Sequence, residues 1–529
     1  YARLCRLLSL GKSRAGKGGC RLDWADVAAY ATGLIAVLVP DLADDTCALR
    51  LRRLRDLFGD RAYLALTLRR RPNDQLRLWE LSQLAQRFGV PTVVTNDVLY
   101  HEPSRRILQD VVTAIRHNTT VEALGFRRER HADRYLKPPA EMQRLFSRYP
   151  EALARTGEIV ARCRFSLDEL RYQYPEERDD PTLTPQETLE RLTWEGATSR
   201  YPEGVPDEVK ASLAHELRLI AKLAYAPYFL TVHSIVRFAR SRGILCQGRG
   251  SAANSAVCFV LGVTEIDPAR SNLLFERFIN PARVSLPDFD IDFCQARRAE
   301  VIQHVREIYG DERVSHIGAH GKLQAKGALG TAVRALGGTS HQAFEIQSLV
   351  PMMRDEEDTD DKRVPFLLAK NQDLRNQLAA LTGPLSRIGE IAVGLEGALS
   401  NISSHAAGIL ITPKPMSDLN VPLTRDGKGK IVTQADMKGV EAAGLVKFDF
   451  LGLATLDVID FAEKSLAARG EAVDWSLIGV SDPATYRMMA KGETHGVFQF
   501  ESFGMRSALR EVRPTAIADL IAIISLHRP

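Results

Sequence analysis

The chain is 529 residues long, with 45% apolar and 26% charged residues: an ordinary globular composition, long enough for three or four domains. Its 70 Lys and Arg against 66 Asp and Glu leave a formal net charge of +4, which neither demands nor forbids a nucleic-acid partner. Seven scattered cysteines with no C-x-x-C pair suggest neither a zinc ribbon nor a disulfide framework and fit a reducing, cytoplasmic compartment best, and neither a signal peptide nor a membrane-spanning apolar run is evident.

In chain order, the sequence opens at Tyr1 inside a helical pattern (ARLCRLLSL) with no initiator Met. It stops at His527-Arg528-Pro529 directly after an apolar run, and so reads as a fragment of a longer protein. From about 46 to 100, helix patterns (CALRLRRLRDLFG, DQLRLWELSQLAQRFG) alternate with strand patterns (AYLALTL, PTVVTNDV). That is α/β organisation with parallel strands. Asn96-Asp97 lies where the second strand ends, a place suited to functional groups and equally to a turn. Residues 101–185 are helix-rich and end in the Pro- and acid-rich connector YPEERDDPTLTP. Residues 186–242 read as helices, and Gly243 suits the C-cap of the last.

The pattern then changes. A strand (GILCQ) leads into Gly248-Arg249-Gly250-Ser251 and on into a helical run (SAANSAVCFVLG). Glycines let a backbone approach a ligand closely, N–H groups at a helix start attract anions, and Arg249 adds a cationic fork. A phosphate is the obvious ligand, although the G-K-[ST] ending of a Walker loop is absent and Ser251 also reads as a simple N-cap. Arg277 and Arg283 follow, then Leu286-Pro287-Asp288-Phe289-Asp290-Ile291-Asp292-Phe293. As a strand, this segment places Asp288, Asp290 and Asp292 on one face and Phe289, Ile291 and Phe293 on the other. Stacked carboxylates repel, so a cation belongs among them unless the face is merely solvated. A calcium loop is excluded, because its sixth and twelfth positions would be Phe293 and Ala299 in place of Gly and Glu. Carboxylates two apart on a strand lie about 6.5–7 Å apart at Cα, a spacing that suits a shared pair of divalent metals.

Residues 295–400 read as mostly helical, with a solvated charge run RDEEDTDDKR at 354–363. Strands return at ISSHAAGILITP and GLVKFDFLGL. The second places Lys447 and Asp449 on one face, either as a structural ion pair or as a third metal carboxylate beside a phosphate neutraliser. His405 and Gln499 are polar residues in apolar or small contexts. Each reads as a satisfied buried polar group or as a support behind the site.

GRGSAANS, FERFINPARVSLPDFDIDF, HAAG, KFDFLGL and GVFQFES occur here in the order seen in bacterial C-family DNA polymerases. On these motifs the chain resembles the α subunit of DNA polymerase III and its error-prone relatives. RLCRLLS, GKGGCRLDWADV and TNDVLYHEPSRRILQDV are most similar to the error-prone, mutagenesis-associated branch, while SLPDFDIDFCQ and KFDFLGL are closer to the replicative subunit. The resemblance implies a multidomain α/β and α+β fold. Its parts would be a truncated PHP-type α/β domain (1–157), a polymerase-β-like nucleotidyltransferase palm (158–318 and 398–454), a helical thumb (319–397) and partial helical fingers (455–529).

It further implies a DNA-directed DNA polymerase acting in translesion synthesis and repair. Two Mg²⁺ ions would be held by Asp288, Asp290 and Asp449, with Asp292 a bystander. Gly248, Arg249, Gly250, Ser251, Arg277, Arg283 and Lys447 would surround the incoming deoxynucleoside triphosphate. Primer–template DNA would be the other substrate, and a sliding clamp and accessory proteins would be partners through regions outside this chain. The opening His-rich motif of a PHP metal site is not in the chain, and Leu99 stands where replicative relatives often carry His, so no PHP metal or proofreading is expected. Three alternatives are a replicative α subunit, a PHP-type metal-dependent phosphoesterase, and a non-catalytic assembly protein that has kept the fold.

Overall fold

The computed structural model describes residues 1–169, 182–267, 275–279, 289–351, 363–419, 421–471, 473 and 478–527. Most of the acid-rich connector and of the 354–363 charge run lie outside them. Ten strands occur among the described residues: β1 (Ala36–Leu38), β2 (Ala62–Leu66), β3 (Thr92–Val94), β4 (Cys246–Arg249), β5 (Asp290–Cys294), β6 (Val314–Lys322), β7 (Leu399–Ile411), β8 (Leu423–Arg425), β9 (Ile431–Thr433) and β10 (Lys447–Leu453). They fall in two compact units.

The first unit comprises Tyr1–Arg171, Ile317–Ser404 and Met416–Ala443. Its sheet β1-β2-β3 is parallel throughout, with Ala36 opposite Ala62 and Leu64 opposite Thr92. Central β2 is buried along its whole length, as its unbroken apolar run AYLAL requires of a strand covered on both faces. The expected helices form at Asp45–Phe58 and Asp74–Phe88, and their Leu51, Leu54, Leu78 and Leu81 pack against Leu64 and Leu66. A separate helical core joins Arg106–Arg116, Ala325–Ala335, Ser340–Ser348 and Ile388–Leu395. The first helix, Ala2–Ser13, lies on the β8–β9 hairpin, where Ser9 Oγ accepts from the Leu423 N–H at 2.8 Å.

The second unit comprises Tyr172–His316, His405–Pro415 and Gly444–Pro529. Within it the strand order is β4-β5-β10-β7. The β5–β10 pair is parallel and the two outer pairs are antiparallel. Helices Pro185–Arg200, Asp207–Lys222 and Ala226–Ser241 form as expected, and Gly243 follows the last in the left-handed region at φ +62°. Phe289, Ile291 and Phe293 face the core, as the alternation predicts. Phe289 meets Tyr228, Phe229 and Phe278 edge to face at 5.0–5.1 Å, Tyr228 also meets Phe448, and Phe293 meets Phe450. Such pairs add about 0.5–1.5 kcal/mol each beyond area burial. They fix β5 and β10 in register from below. Chain-terminal helices, ending in Phe503–Val512 and Ile517–Leu526, have a small core of their own around Met489, Met505, Leu509 and Ile523.

β6 is a departure, since the region was expected to be helical with loops. No single helix among the described residues is long and apolar enough to cross a membrane. The pair Asp207–Lys222 and Ala226–Ser241 passes that test only jointly and is bent by 117°.

Candidate active site

The register of four strands builds one row of side chains in the second unit. Arg249 on β4 stands opposite Asp290 on β5, Asp290 opposite Asp449 on β10, and Asp449 opposite Gly408 on β7. Neighbouring strands lie about 4.8 Å apart, so the two carboxylates are immediate neighbours on the face away from the aromatic core. The next row places Gln247, Asp292 and Leu451 side by side.

Asp449 is 7% exposed. Its Oδ2 accepts from Lys447 Nζ at 2.6 Å, so the ion pair read from i, i+2 alternation exists. Its Oδ1 is buried and has no hydrogen-bond partner among the described residues. A buried acceptor whose lone pairs meet no donor, beside a second carboxylate, costs free energy unless a cation completes it. Hard divalent cations take oxygen ligands of this kind, so the donor set fits one. No cluster of three or more metal-ligand side chains occurs among the described residues. Asp288, the third carboxylate of the expected set, lies outside them, as does Arg283. Arg277 ends the short turn Phe275–Arg277, and its side chain is also outside the description.

Asp292 is buried too, and burial pushes its carboxyl up against the opposing pull of Arg249, whose Nε lies 3.6 Å from Oδ1. Arg249 is thus tied to the acidic strand as well as being half-exposed beside Asp290.

The glycine loop is anchored tightly. Gly248 donates to the Val263 carbonyl at 2.8 Å, and a Cβ on Gly248 would lie 2.6 Å from that oxygen. Gly250 has φ +66°, and a Cβ there would stand 3.5 Å from Asp290 Oδ2. Asn254 donates back to the Ser251 carbonyl at 3.0 Å, closing the short turn Gly250–Asn254.

One expectation fails here. The helix after the loop is only Ala256–Val260, its N-cap is Ser255 and not Ser251, and its leading N–H groups are already taken. Ser255 Oγ accepts from Cys258 at 3.1 Å, while Ala256 and Val257 donate to Glu216 at 2.8 and 3.0 Å. An internal carboxylate fills the position foreseen for phosphate at the helix start. Sequence reasoning missed Glu216. Its signal was an acid at a position of the buried stripe Val209, Leu213, Leu217, Ile220.

His405 on β7 accepts at Nδ1 from the Ala407 and Gly408 N–H groups, at 3.3 and 2.8 Å. With Nδ1 an acceptor, the ring proton of neutral His405 sits on Nε2. His405 is half-buried, not the fully buried polar residue expected, and lies three residues from Gly408 of the row. Gln499 is corrected: it is exposed, at φ +66°, in a turn between helices, because Phe500 takes the buried position beside it. In the first unit, Asn96 donates to the carbonyls of Asp133 and Tyr135, and Asp97 pairs with Arg69 and Arg134 at 2.7 Å. Both side chains are taken up by partners distant in sequence within the same unit.

A family model described as the bacterial DNA polymerase III alpha NTPase domain matches residues 187–452. A second, the bacterial DNA polymerase III alpha subunit finger domain, matches residues 455–529. Over its whole length the chain is 49% identical to Error-prone DNA polymerase 1 of Agrobacterium fabrum, covering 48% of that relative. It is 48% identical to an error-prone DNA polymerase of Allorhizobium ampelinum (47% of that relative) and 40% identical to one of Alkalilimnicola ehrlichii (50% of that relative). The chain spans about half the length of these curated relatives. The likeness to proteins named error-prone includes the second half, where motif wording alone leaned towards the replicative subunit.

Proposed function

The chain belongs to the bacterial DNA polymerase III alpha family, and on that premise we propose that it carries the nucleotidyl-transfer site of an error-prone DNA polymerase. The reaction is template-directed addition of deoxynucleotides to a primer 3′-hydroxyl, in translesion synthesis and repair. The observation that carries this reading is the row Asp290–Asp449, with the buried Oδ1 of Asp449 lacking a partner among the described residues.

Asp290 and Asp449, with Asp288, are the residues that would hold two Mg²⁺ ions, which when bound activate the primer hydroxyl and neutralise the triphosphate. Lys447 fixes Asp449 by one oxygen and leaves the other to face the row. Gly250, having no side chain, keeps the space over Asp290 open. Arg249, Ser251, Arg277, Arg283 and Lys447 serve the phosphates of the incoming nucleotide, and the aromatic bed under β5 and β10 holds the carboxylates in place. The finger-domain match supports fingers at 455–529. The sheet of the second unit supports a palm drawn from 158–318 and 398–454, the helical core supports a thumb at 319–397, and the parallel sheet supports a PHP-type domain at 1–157. Primer–template DNA and deoxynucleoside triphosphates are the substrates of this reading, a sliding clamp and accessory proteins its partners, and the cytoplasm its location.

Primer extension with Mg²⁺ tests it. Asp290→Asn and Asp449→Asn should each slow extension by roughly a hundredfold or more; either variant extending at the wild-type rate refutes the assignment.

A further inference from the structure

Glu216 lies in the middle of helix Asp207–Lys222, 1% exposed, with no lysine or arginine against it among the interactions described. Four donors converge on its two oxygens. Ser255 Oγ reaches Oε2 at 2.7 Å, the Val257 N–H reaches Oε2 at 3.0 Å, the Ala256 N–H reaches Oε1 at 2.8 Å, and Ser212 Oγ reaches Oε1 at 3.5 Å. Three of the four come from the segment that directly follows the Gly248–Asn254 loop. A buried carboxylate is costly to desolvate, and such a group persists where its hydrogen bonds fix something that ordinary packing does not.

The loop has two ends. At the first, β4 is paired to β5 in the row of Asp290, and Gly248 is bonded to Val263. At the second, the chain turns through Ala252–Asn254 into Ser255, and Glu216 grips Ser255 and the two residues after it. Between these anchors the backbone of Gly250 passes over Asp290. Loosening the second anchor would remove the support that the far end of the loop receives from helix Asp207–Lys222.

We propose that Glu216 is a positioning residue for the nucleotide-binding loop, holding Gly250 and Ser251 in the conformation that receives the triphosphate; this rests on the polymerase reading of the site. Glu216 touches no substrate. By accepting from the Ala256 and Val257 N–H groups it occupies the donors at the helix start, so an incoming phosphate is received by the loop and not by the helix end.

The test is equilibrium binding of dATP carrying a fluorescent methylanthraniloyl group to the full chain, with Ca²⁺ in place of Mg²⁺ so that no turnover intervenes. Thermal stability is measured alongside. Glu216→Ala is compared with Leu213→Ala, which removes packing from the same helix but no hydrogen bond to the loop. The expected result is about tenfold weaker binding for Glu216→Ala and a change within about twofold for Leu213→Ala at a comparable loss of stability. In primer extension, KM for the nucleotide should rise while kcat moves less. Binding by Glu216→Ala within twofold of wild type, or equal weakening in both variants, overturns the inference while leaving the polymerase reading intact. Absence of binding by the wild-type chain, or normal extension by Asp449→Asn, overturns that reading and the inference with it.

Discussion

Asp449 is held at one oxygen and left open at the other, and this asymmetry sets the expectations at the scale of single residues. Asp449→Asn and Asp290→Asn keep the volume and lose the charge. Each should lower primer-extension kcat by roughly a hundredfold or more, the size of losing one preorganised electrostatic group. Asp292→Asn, on the same strand, should stay within about tenfold of wild type, because that carboxylate faces Arg249 one row away. Glu216 carries a pH prediction. Burial pushes its carboxyl from the ordinary 4.5 up to about 7, outweighing the hydrogen bonds from Val257, Ser255, Ala256 and Ser212 that pull it down. The folded chain therefore binds this proton more tightly than the unfolded chain. The stability it contributes is fully present below about pH 4.5 and is lost as pH rises through about 7. Thermal melts of wild type against Glu216→Gln across pH 4–8 should show the wild-type advantage shrinking with rising pH; a difference that stays flat rules this out. Strand alternation made Asp290, Asp449 and Lys447 readable in the sequence, because period two assigns a face without knowledge of the partner strand. Glu216 was not readable in that way. Its partners lie some forty residues downstream, and only tertiary contact distinguishes a clamp from a misplaced acid.

At the scale of elements, the glycine loop was legible and its neighbour was not. The sequence shows strand, glycines and a helical run, but the length of that helix is set by tertiary packing. Five residues form where twelve look helical, and Val263 returns to bond Gly248. That return gives a prediction. Gly248→Ala places a methyl 2.6 Å from the Val263 carbonyl oxygen. The backbone must give way, at a cost of about 1–3 kcal/mol, the usual range for overpacking. Thermal denaturation should register the loss and nucleotide KM should rise with it; an unchanged melt would show that the loop has slack. β6 escaped the sequence for a related reason. VSHIGAHGK mixes glycine and histidine into its alternation, and the strand is supported by pairing more than by propensity: Gly318 donates to Thr433 Oγ1 at 2.9 Å, and a Cβ there would meet the Thr433 carbonyl at 2.2 Å.

At the scale of the whole molecule, the described residues pack around several separate apolar cores, three of them large. A single unfolding free energy is therefore not expected to describe the chain. Leu329 is fully buried in the helical core of the first unit. Leu329→Ala should cost about 2–5 kcal/mol locally. Hydrogen exchange should accelerate in 325–395 while peptides covering 226–260 keep their protection; uniform acceleration would show that the cores unfold as one. The parallel sheet near the N-terminus was visible in the sequence because each helix and strand is contiguous. A discontinuous arrangement of the rest was expected only through the family resemblance, which drew one domain from 158–318 and 398–454, because no local pattern announces that a segment will return to a sheet begun long before.

The central strand β10 has a consequence in time. It lies between β5 and β7, yet it is the last of the described strands to be made, and Asp449 leaves the ribosome 159 residues after its partner Asp290. At a synthesis rate of about 5–20 residues per second, β5 waits roughly 8–30 s for its neighbour, with one edge bearing unpaired N–H and carbonyl groups. The nascent protein thus carries a sticky seam before it carries the paired carboxylate row. Chaperone capture or premature strand pairing during that interval would govern how much correctly folded protein a cell obtains, independently of how stable the finished fold is.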